Sequence, residues 1–425
     1  MKHSLFLFCL LATLTVHAQE DREGLLKQAR IWVDTLTSDF MAGRGYVEAG
    51  HKKAADFLTK NFQQFGLKPV PGHPFHQGFR IPMNRITDAT LSLNGTEVAV
   101  GKSFIVYRYS ASGSAEGKVV NLKYGLKPKA SVRGKIVLIR NGWPPSIAND
   151  SDKRAKYKDL ARIDQRIAAI LPFKPLAVIV IQPKLTMAFA REQLPIPVIE
   201  ILSSDAPRNI KTARLSVTAK LERVPSQNVI GWIEGTEAAD TAIVICGHYD
   251  HLGKLSSAIF PGANDNASGT TMLLSMARYF AQHPLKYSIM VIAFGGEETG
   301  LVGSRYYVEE EPWVPLDQIK FLLNLDLMGN GIDGIMAVGG KDFPDRHRQL
   351  VDLNTEIEAV PKVKSRKNAP NSDHYFFLAN GVEGFFIYTL GGPPHYHDVN
   401  DTADNLVLSK YVEVRQLLIR FLEKI

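Results

Sequence analysis

Short apolar segments alternate with amphipathic helical patterns through the second half of the chain, and this alternation restricts the possible folds more than any other feature. Apolar strands without polar alternation are typical of a sheet that helices cover on both faces. We therefore predict an α/β fold with a mixed, mostly parallel sheet sandwiched by helices. The apolar segments are Thr241 to Cys246, Tyr287 to Phe294, Phe321 to Leu325, Ile335 to Val338 and Gly384 to Thr389, and helical patterns cover Ser268 to Gln282, Leu301 to Glu309, Asp345 to Ala359 and Ser409 to Lys424.

The first half of the chain has a different texture. Helical patterns at Arg22 to Leu36 and Glu48 to Gln64 give way, from about Ile81, to short alternating runs broken by turn pairs such as Asn94-Gly95. Roughly 400 mature residues also exceed what one hydrophobic core usually organises. We expect residues 19–80 and 221–425 to form one discontinuous domain, and residues 81–220, called the insert below, to form a β-rich domain.

The N terminus has the pattern of a secretory signal peptide over residues 1–18. Lys2 precedes an apolar run from Leu5 to Val16, and Ala18 supplies a small residue before a cut at Gln19. This pattern predicts a secreted or periplasmic protein. Lipoprotein anchoring is disfavoured because Cys9 lies inside the apolar run. No later stretch approaches the roughly 20 apolar residues of a membrane span.

Charge and cysteine content exclude two further classes of protein. The formal net charge of +7 comes from basic residues dispersed along the chain, without the clustered arginine and aromatic pattern of a nucleic-acid-binding surface. Of two cysteines, Cys9 leaves with the signal peptide, so Cys246 has no partner within the mature chain. We therefore expect a fold without disulfides.

Acidic residues and histidines follow the predicted strands. His248 and Asp250 lie two residues apart after the first strand and share one face, so one can bind a metal while the other orients the imidazole. Asp265 lies in a glycine-bounded loop just before a helix, where a carboxylate can hold two cations about 3.5–4 Å apart. The alternative interpretation makes Asn266 or Ser268 the N-cap of that helix and Asp265 a partner of the helix dipole.

The second strand runs into the adjacent acids Glu297 and Glu298, which packing alone does not explain because two such charges repel. Their side chains diverge, so one can bind a metal while the other accepts a proton from water. Asp326 and His397 follow two further strands. Sites in parallel sheets form beyond the carboxyl ends of the strands, so the whole set predicts a metal-dependent hydrolytic site.

These motifs resemble those of the M28 family of co-catalytic zinc aminopeptidases. The similarity extends from about Asn228 to the C terminus with the motifs in the family's order, and the insert resembles, on weaker motifs, a protease-associated domain. One departure is Asp398-Val399 after His397, where family members often have Thr-Pro or Ser-Pro. The matching segments are His248 to Asp250, Gly262 to Gly269, Gly296 to Ser304, Asn324 to Gly329, Ser372 to His374 and His397 to Thr402.

The resemblance implies two zinc ions. His248 and Asp326 would hold one ion, Glu298 and His397 would hold the other, and Asp265 would bridge them. The same oxygen and imidazole ligands also suit cobalt or manganese.

The resemblance also implies roles for residues around the ions. Glu297 would be the general base, and Asp250 would orient the imidazole of His248. Asp373, His374 and Asp401 match positions that would line the site.

The expected reaction is removal of N-terminal residues from peptide substrates. Three alternatives stay open: a glutaminyl-cyclase-like acyltransferase, a dipeptidase or carboxypeptidase on the same fold, and a catalytically inactive binding module. His251 and His395 match no ligand position and are expected to be loop histidines. Side-chain preference and oligomeric state have no signal in the sequence.

Overall fold

The computed structural model describes residues 22–128, 130–392 and 394–425. The predicted signal peptide, residues 1–18, lies outside these ranges. Within them, no helix combines the length and the apolar character that a membrane crossing requires.

Strands and helices alternate along the described chain as follows. The strands are β1 (His76–Leu93), β2 (Thr96–Glu97), β3 (Phe104–Val106), β4 (Gly113–Asn121), β5 (Ile136–Arg140), β6 (Ala177–Gln182), β7 (Val198–Leu202), β8 (Thr212–Ile233), β9 (Ala238–His248), β10 (Gly253–Leu255), β11 (Ala258–Phe260), β12 (Tyr287–Phe294), β13 (Ile319–Leu325), β14 (Ile335–Val338), β15 (Val363–Arg366) and β16 (Gly384–Thr389). The helices are α1 (residues 22–36), α2 (Gly50–Phe65), α3 (Pro145–Ala148), α4 (Ser151–Ala155), α5 (Ile163–Ile170), α6 (Gly269–Gln282), α7 (Val302–Glu309), α8 (Pro344–Ile357), α9 (His374–Ala379) and α10 (Tyr411–Glu423).

A mixed sheet organises the described residues, with strand order β15-β14-β16-β13-β9-β12-β8-β4-β5-β6-β7-β3. At its centre β9 pairs in parallel with β12 and β13, and β13 pairs in parallel with β16. Antiparallel strands β8 and β14 flank this parallel group. The prediction of a mixed, mostly parallel sheet with helices is confirmed, and the carboxyl ends of the four parallel strands lie at one edge.

The central strands are buried on both faces. Along β9, Ile243 and Ile245 belong to the core beneath α2, α6 and α10, whereas Val244 and Cys246 belong to the core beneath α7 and α9. Successive strand residues point to opposite faces of the sheet, so the residues on both faces must be apolar. This burial explains the absence of polar alternation in the sequence. The thiol of Cys246 is free and buried.

A long antiparallel ladder joins the two halves of the sheet. The strands β1 and β8 pair from His76 opposite Val229 to Leu93 opposite Ala213, and both boundaries predicted for the insert lie inside this ladder. Beyond it, β4 to β7 pair in parallel and enclose separate hydrophobic cores. The division into domains therefore remains a prediction. The β1–β8 ladder continues without a break across both predicted boundaries of the insert.

Candidate metal centre

The predicted site residues lie at the edge of the sheet where the parallel strands end. His248 ends β9, Glu297 and Glu298 follow β12, and Asp326 follows β13. His397 lies in the loop after β16. The carboxyl ends of neighbouring parallel strands meet at one edge of the sheet. The loops that follow these strands therefore place the side chains close together.

The five predicted metal ligands come together around Asp265. One carboxylate oxygen of Asp265 lies 3.4 Å from Nε2 of His248, and the other lies 3.2 Å from Nε2 of His397. Asp326 lies 3.4 Å from Nε2 of His248, and Glu298 lies 3.1 Å from Nε2 of His397. Each oxygen of Asp265 therefore faces a different imidazole, with one further carboxylate beside each imidazole.

Main-chain carbonyl groups orient both imidazoles. Nδ1 of His248 lies 3.1 Å from the carbonyl oxygen of Asp250, and Nδ1 of His397 lies 3.0 Å from that of Met187. A carbonyl oxygen can only accept, so each Nδ1 carries a hydrogen and each Nε2 points at the carboxylates. Burial lowers the pKa of His397, but Glu298 and Asp265 raise it to about 11. The carboxylates thus hold a positive charge at Nε2, where a metal would replace a proton.

Buried polar atoms without a hydrogen bond also fit a metal. Oδ1 of Asp326 and Nε2 of His251 are buried and have no hydrogen-bond partner among the described residues. Two groups of side chains offer ligand atoms that lie within 4.8 Å of one another; they are His248, Glu297 and Asp326, and His251, Asp265 and Glu298. Carboxylates and imidazoles are the donor set that zinc takes in catalytic sites. The residues present therefore fit zinc.

The adjacent acids Glu297 and Glu298 have opposite pKa shifts. Burial raises the pKa of Glu297 well above its usual range, His248 offsets part of this, and the charge of Glu298 adds to the rise. Burial also acts to raise the pKa of Glu298, but His397 and His251 lower it to about 2. Neighbouring carboxyl groups with diverging pKa values are suited to different tasks, one as a ligand and one as a proton carrier.

Asp250 contacts its neighbours differently from the prediction. Its main-chain carbonyl, rather than its carboxylate, accepts from His248. The carboxylate instead accepts from the hydroxyl of Tyr46 (3.1 Å) and from the main-chain N–H of Glu297 (3.2 Å). Burial raises the pKa of Asp250 to about 6, although His248 lowers it. Asp250 therefore positions the Glu297 backbone directly.

Of the predicted site-lining residues, Asp401 holds the backbone of the loop that carries Asp265. Its carboxylate accepts from the main-chain N–H groups of Asn264 (2.8 Å) and Asp265 (3.0 Å). Asp373 and His374 are fully buried. The ring of His374 packs 5.1 Å from that of Phe386, which itself lines the cleft, so His374 lies behind the cleft wall.

Sequence reasoning missed three contributors to this centre. His251, expected to be a loop histidine, is buried, and its Nδ1 lies 2.6 Å from Glu298; its spacing of three residues from His248 was the available signal. Arg44 is fully buried and donates to main-chain carbonyls that include those of Tyr249 and Gly262. Only its position between two glycines marked it. Met187 acts through its backbone, which no side-chain pattern reveals.

A cleft of about 270 Å³ opens beside these groups. His248, Asp265, Glu297 and Asp326 line this cleft. The remaining lining residues, called the cleft wall below, are Leu327, Arg366, Asn371, Phe386, Tyr388 and Tyr396. The cleft therefore gives a small substrate group access to the candidate metal centre.

Comparisons with known proteins agree with this geometry. The sequence model of peptidase family M28 matches residues 228–422. The chain is 31% identical to aminopeptidase YwaD of Bacillus subtilis over 378 residues, which cover 84% of this chain and 76% of the relative.

Solved structures show the same fold. A zinc aminopeptidase from Bacillus subtilis superposes with a TM-score of 0.71 at 22% identity, covering 94% of each chain. A peptidase M28 precursor from Shewanella amazonensis superposes with a TM-score of 0.65 at 18% identity, covering 95% of each chain.

Proposed function

The chain belongs to peptidase family M28, and from this membership we propose that it is an exported two-zinc aminopeptidase that removes N-terminal residues from peptides. The name of the Bacillus relative and the donor set of the candidate centre support a zinc-dependent peptidase. The signal-peptide pattern at the N terminus supports export. N-terminal sequencing of the secreted protein tests export, because it should begin at Gln19.

The placement of Asp265 carries the two-ion proposal. Its carboxylate oxygens face His248 and His397 separately, at 3.4 and 3.2 Å. A single carboxylate that faces two imidazoles in this way can bridge two cations. His248 with Asp326 would hold one ion, and His397 with Glu298 the other.

Bound zinc acts as a Lewis acid toward the scissile carbonyl and lowers the pKa of a water molecule to about 7. Glu297 lines the cleft beside these ligands and has a raised pKa, so it can accept the proton of the attacking water and pass it to the leaving amine. Asp250 holds the Glu297 backbone during this transfer. The small cleft admits the first residue of an unblocked peptide.

Two alternative reactions remain to be tested against this proposal. A dipeptidase or carboxypeptidase would use the same residues on a different end of the substrate, and an N-acetylated peptide with a free C terminus separates these cases. A glutaminyl-cyclase-like acyltransferase would act with one zinc and release no amino acid. The complete set of five ligands favours hydrolysis over that reaction.

The decisive test is hydrolysis of aminoacyl p-nitroanilides by the zinc-loaded chain, with and without chelator. We expect chelator-sensitive cleavage that N-acetylation abolishes. Glu297→Gln should lose at least about 100-fold in kcat and keep its zinc, because general-base catalysis contributes on this order. Exposed Glu310→Gln is the matched control and should keep full activity. Full activity of Glu297→Gln would refute the proposed base.

A further inference from the structure

The cleft wall carries one fully charged side chain. Of its residues, Leu327 and Phe386 are apolar, and Asn371, Tyr388 and Tyr396 are polar. Three candidate metal ligands, His248, Asp265 and Asp326, line the same cleft together with Glu297. The guanidinium of Arg366 is therefore the positive group of the wall, and it faces the same cavity as the reaction centre.

The fold holds Arg366 in place from its backbone outward. Arg366 ends the edge strand β15, and its carbonyl oxygen accepts from the N–H of Gly339 at 3.0 Å. Its guanidinium carbon lies 5.5 Å from the ring centroid of Tyr388, in a cation–π contact. One orientation of the Asn371 side-chain amide satisfies both of its polar atoms. In it, the amide nitrogen donates to the Ala369 carbonyl at 2.9 Å and the amide oxygen accepts from Nη2 of Arg366 at 2.8 Å. These contacts aim the guanidinium without neutralising it.

Arg366 has unused hydrogen-bonding capacity. Its Nε is buried and has no hydrogen-bond partner, and no carboxylate among the described residues forms an ion pair with it. A half-buried guanidinium without a counter-ion is costly, and a carboxylate is the group whose two oxygens match its planar fork. Nearby His374 supplies no competing positive charge, because burial and Arg366 itself lower its pKa to about 3.

We propose that Arg366, oriented by Asn371 and Tyr388, binds the side-chain carboxylate of an acidic first residue, so that the enzyme prefers peptides beginning with Glu or Asp. The preference rests on the proposed aminopeptidase function, in which the first residue lies beside the scissile bond. Arg366 lines the same 270 Å³ cleft as His248, Asp265 and Asp326, so it is within reach of the side chain of a residue bound there. The C-terminal carboxylate of a dipeptide has the same chemistry, and the experiment separates the two sources.

The test compares values of kcat/KM for matched substrate pairs with the zinc-loaded full chain. Glu-p-nitroanilide against Gln-p-nitroanilide isolates the charge of the first side chain, and Leu-Gly against Leu-Gly-amide isolates the C-terminal carboxylate. We expect the wild type to favour Glu over Gln at least about tenfold, and Arg366→Gln to lower this ratio by about 10- to 100-fold, as the loss of a charged hydrogen-bonded pair predicts. The Leu-Gly ratio should not change.

Two further variants make the test independent of the folding of Arg366→Gln. Asn371→Asp places a carboxylate beside the guanidinium and should lower the Glu-to-Gln ratio while Arg366 stays in place. Lys364→Gln removes the same charge from an exposed position on the same strand and should leave the ratio unchanged. A structural role of Arg366 would reduce kcat/KM for both substrates equally, without changing their ratio.

The outcomes separate this proposal from the proposed function. Chelator-sensitive cleavage of Glu and Gln substrates at similar rates, unaltered by Arg366→Gln, would overturn the acidic preference and leave the aminopeptidase function standing. If Arg366→Gln changes only the ratio for the Leu-Gly pair, the assignment to the first side chain is wrong. Arg366 would then bind the C-terminal carboxylate of a dipeptide. Absence of chelator-sensitive cleavage of every substrate would overturn the proposed function itself.

Discussion

The carbonyl oxygen of Met187, in the insert, lies 3.0 Å from Nδ1 of His397, and the N–H of Met187 donates to the carbonyl of His397 at 3.1 Å. Residues 210 positions apart are thus paired through both backbone groups. Arg191, four residues further along, donates to the carbonyls of Thr299 and Gly300, directly after the paired acids. One segment of the insert therefore braces two sides of the candidate centre.

This bracing predicts a catalytic effect of a residue that touches neither substrate nor metal. Arg191→Ala removes charged donors from two carbonyls and should lower kcat/KM for an aminoacyl p-nitroanilide by about 5- to 30-fold, from a loss of about 1–2 kcal/mol. Arg133→Ala, an exposed change elsewhere in the insert, should have no effect. Equal activity of the two variants would show that the insert does not support the centre.

Tyr46→Phe tests the role of Asp250. The substitution removes the hydroxyl that donates to the Asp250 carboxylate and leaves the buried ring in place. Because Asp250 accepts from the Glu297 N–H, we expect kcat to fall by about tenfold with unchanged zinc content. Tyr306→Phe, whose hydroxyl lies at the surface near Glu311, is the control. A loss of zinc rather than of kcat in Tyr46→Phe would contradict this role.

Arg44 should be essential to stability. Its guanidinium is fully buried and donates to five main-chain carbonyls; these belong to Leu36, Tyr249, Pro261, Gly262 and Asp265. Burial lowers its pKa to about 10, partly offset by Asp265, so it stays charged at neutral pH. Arg44→Met leaves these buried carbonyl groups without a hydrogen-bond donor and should lower the unfolding free energy by about 3 kcal/mol or more.

The matched control is Arg22→Gln, which breaks a surface ion pair with Glu413. Exposed pairs contribute about 0–1 kcal/mol, so urea denaturation should separate the two variants clearly. Similar unfolding free energies would show that the Arg44 contacts are not a source of stability.

Glu200 in the insert predicts a pH dependence of stability. Burial raises its pKa from 4.5 to about 7, although the Gln182 amide donates to it and Arg108 lies nearby. Between these pH values the unfolded chain has lost the proton that the folded chain retains, so stability falls as pH rises from about 4.5 to 7. The fall approaches about 3 kcal/mol and levels off above pH 7.

Glu200→Gln should remove this part of the pH dependence and stabilise the protein above pH 7. Denaturation midpoints measured from pH 5 to 8 test it, with exposed Glu116→Gln as the control that keeps the wild-type profile. A Glu200→Gln profile parallel to the wild type would contradict the buried, protonated Glu200.

The periodicity of the sequence and the residue types at the strand ends were sufficient to predict the central sheet and the proximity of His248, Asp265 and Glu298. The strand predicted at Tyr287 to Phe294 has the observed bounds, and the predicted helix Ser268 to Gln282 begins one residue later in the structure. Both patterns are local, and local patterns are what periodicity records.

The long ladder of β1 and β8 was missed because Pro82 and Pro225 interrupt both strands. Proline is tolerated there because this part of each strand has only one neighbour, so the missing N–H breaks no second ladder. The contacts of Met187 and Arg44 go to distant main-chain groups, which leave no pattern in a single sequence.

The metal content of the purified full chain tests the central claim most directly. Mass spectrometry after gel filtration should find about two zinc ions per chain, as a carboxylate-bridged centre requires. The content should fall in His397→Ala, because Nε2 of His397 faces Asp265 and Glu298. It should stay at about two in His395→Ala, because the imidazole of His395 lies 3.7 Å from Asp398, which is not a candidate ligand. A wild-type chain that holds no zinc and still cleaves peptides in the presence of chelator would contradict the account.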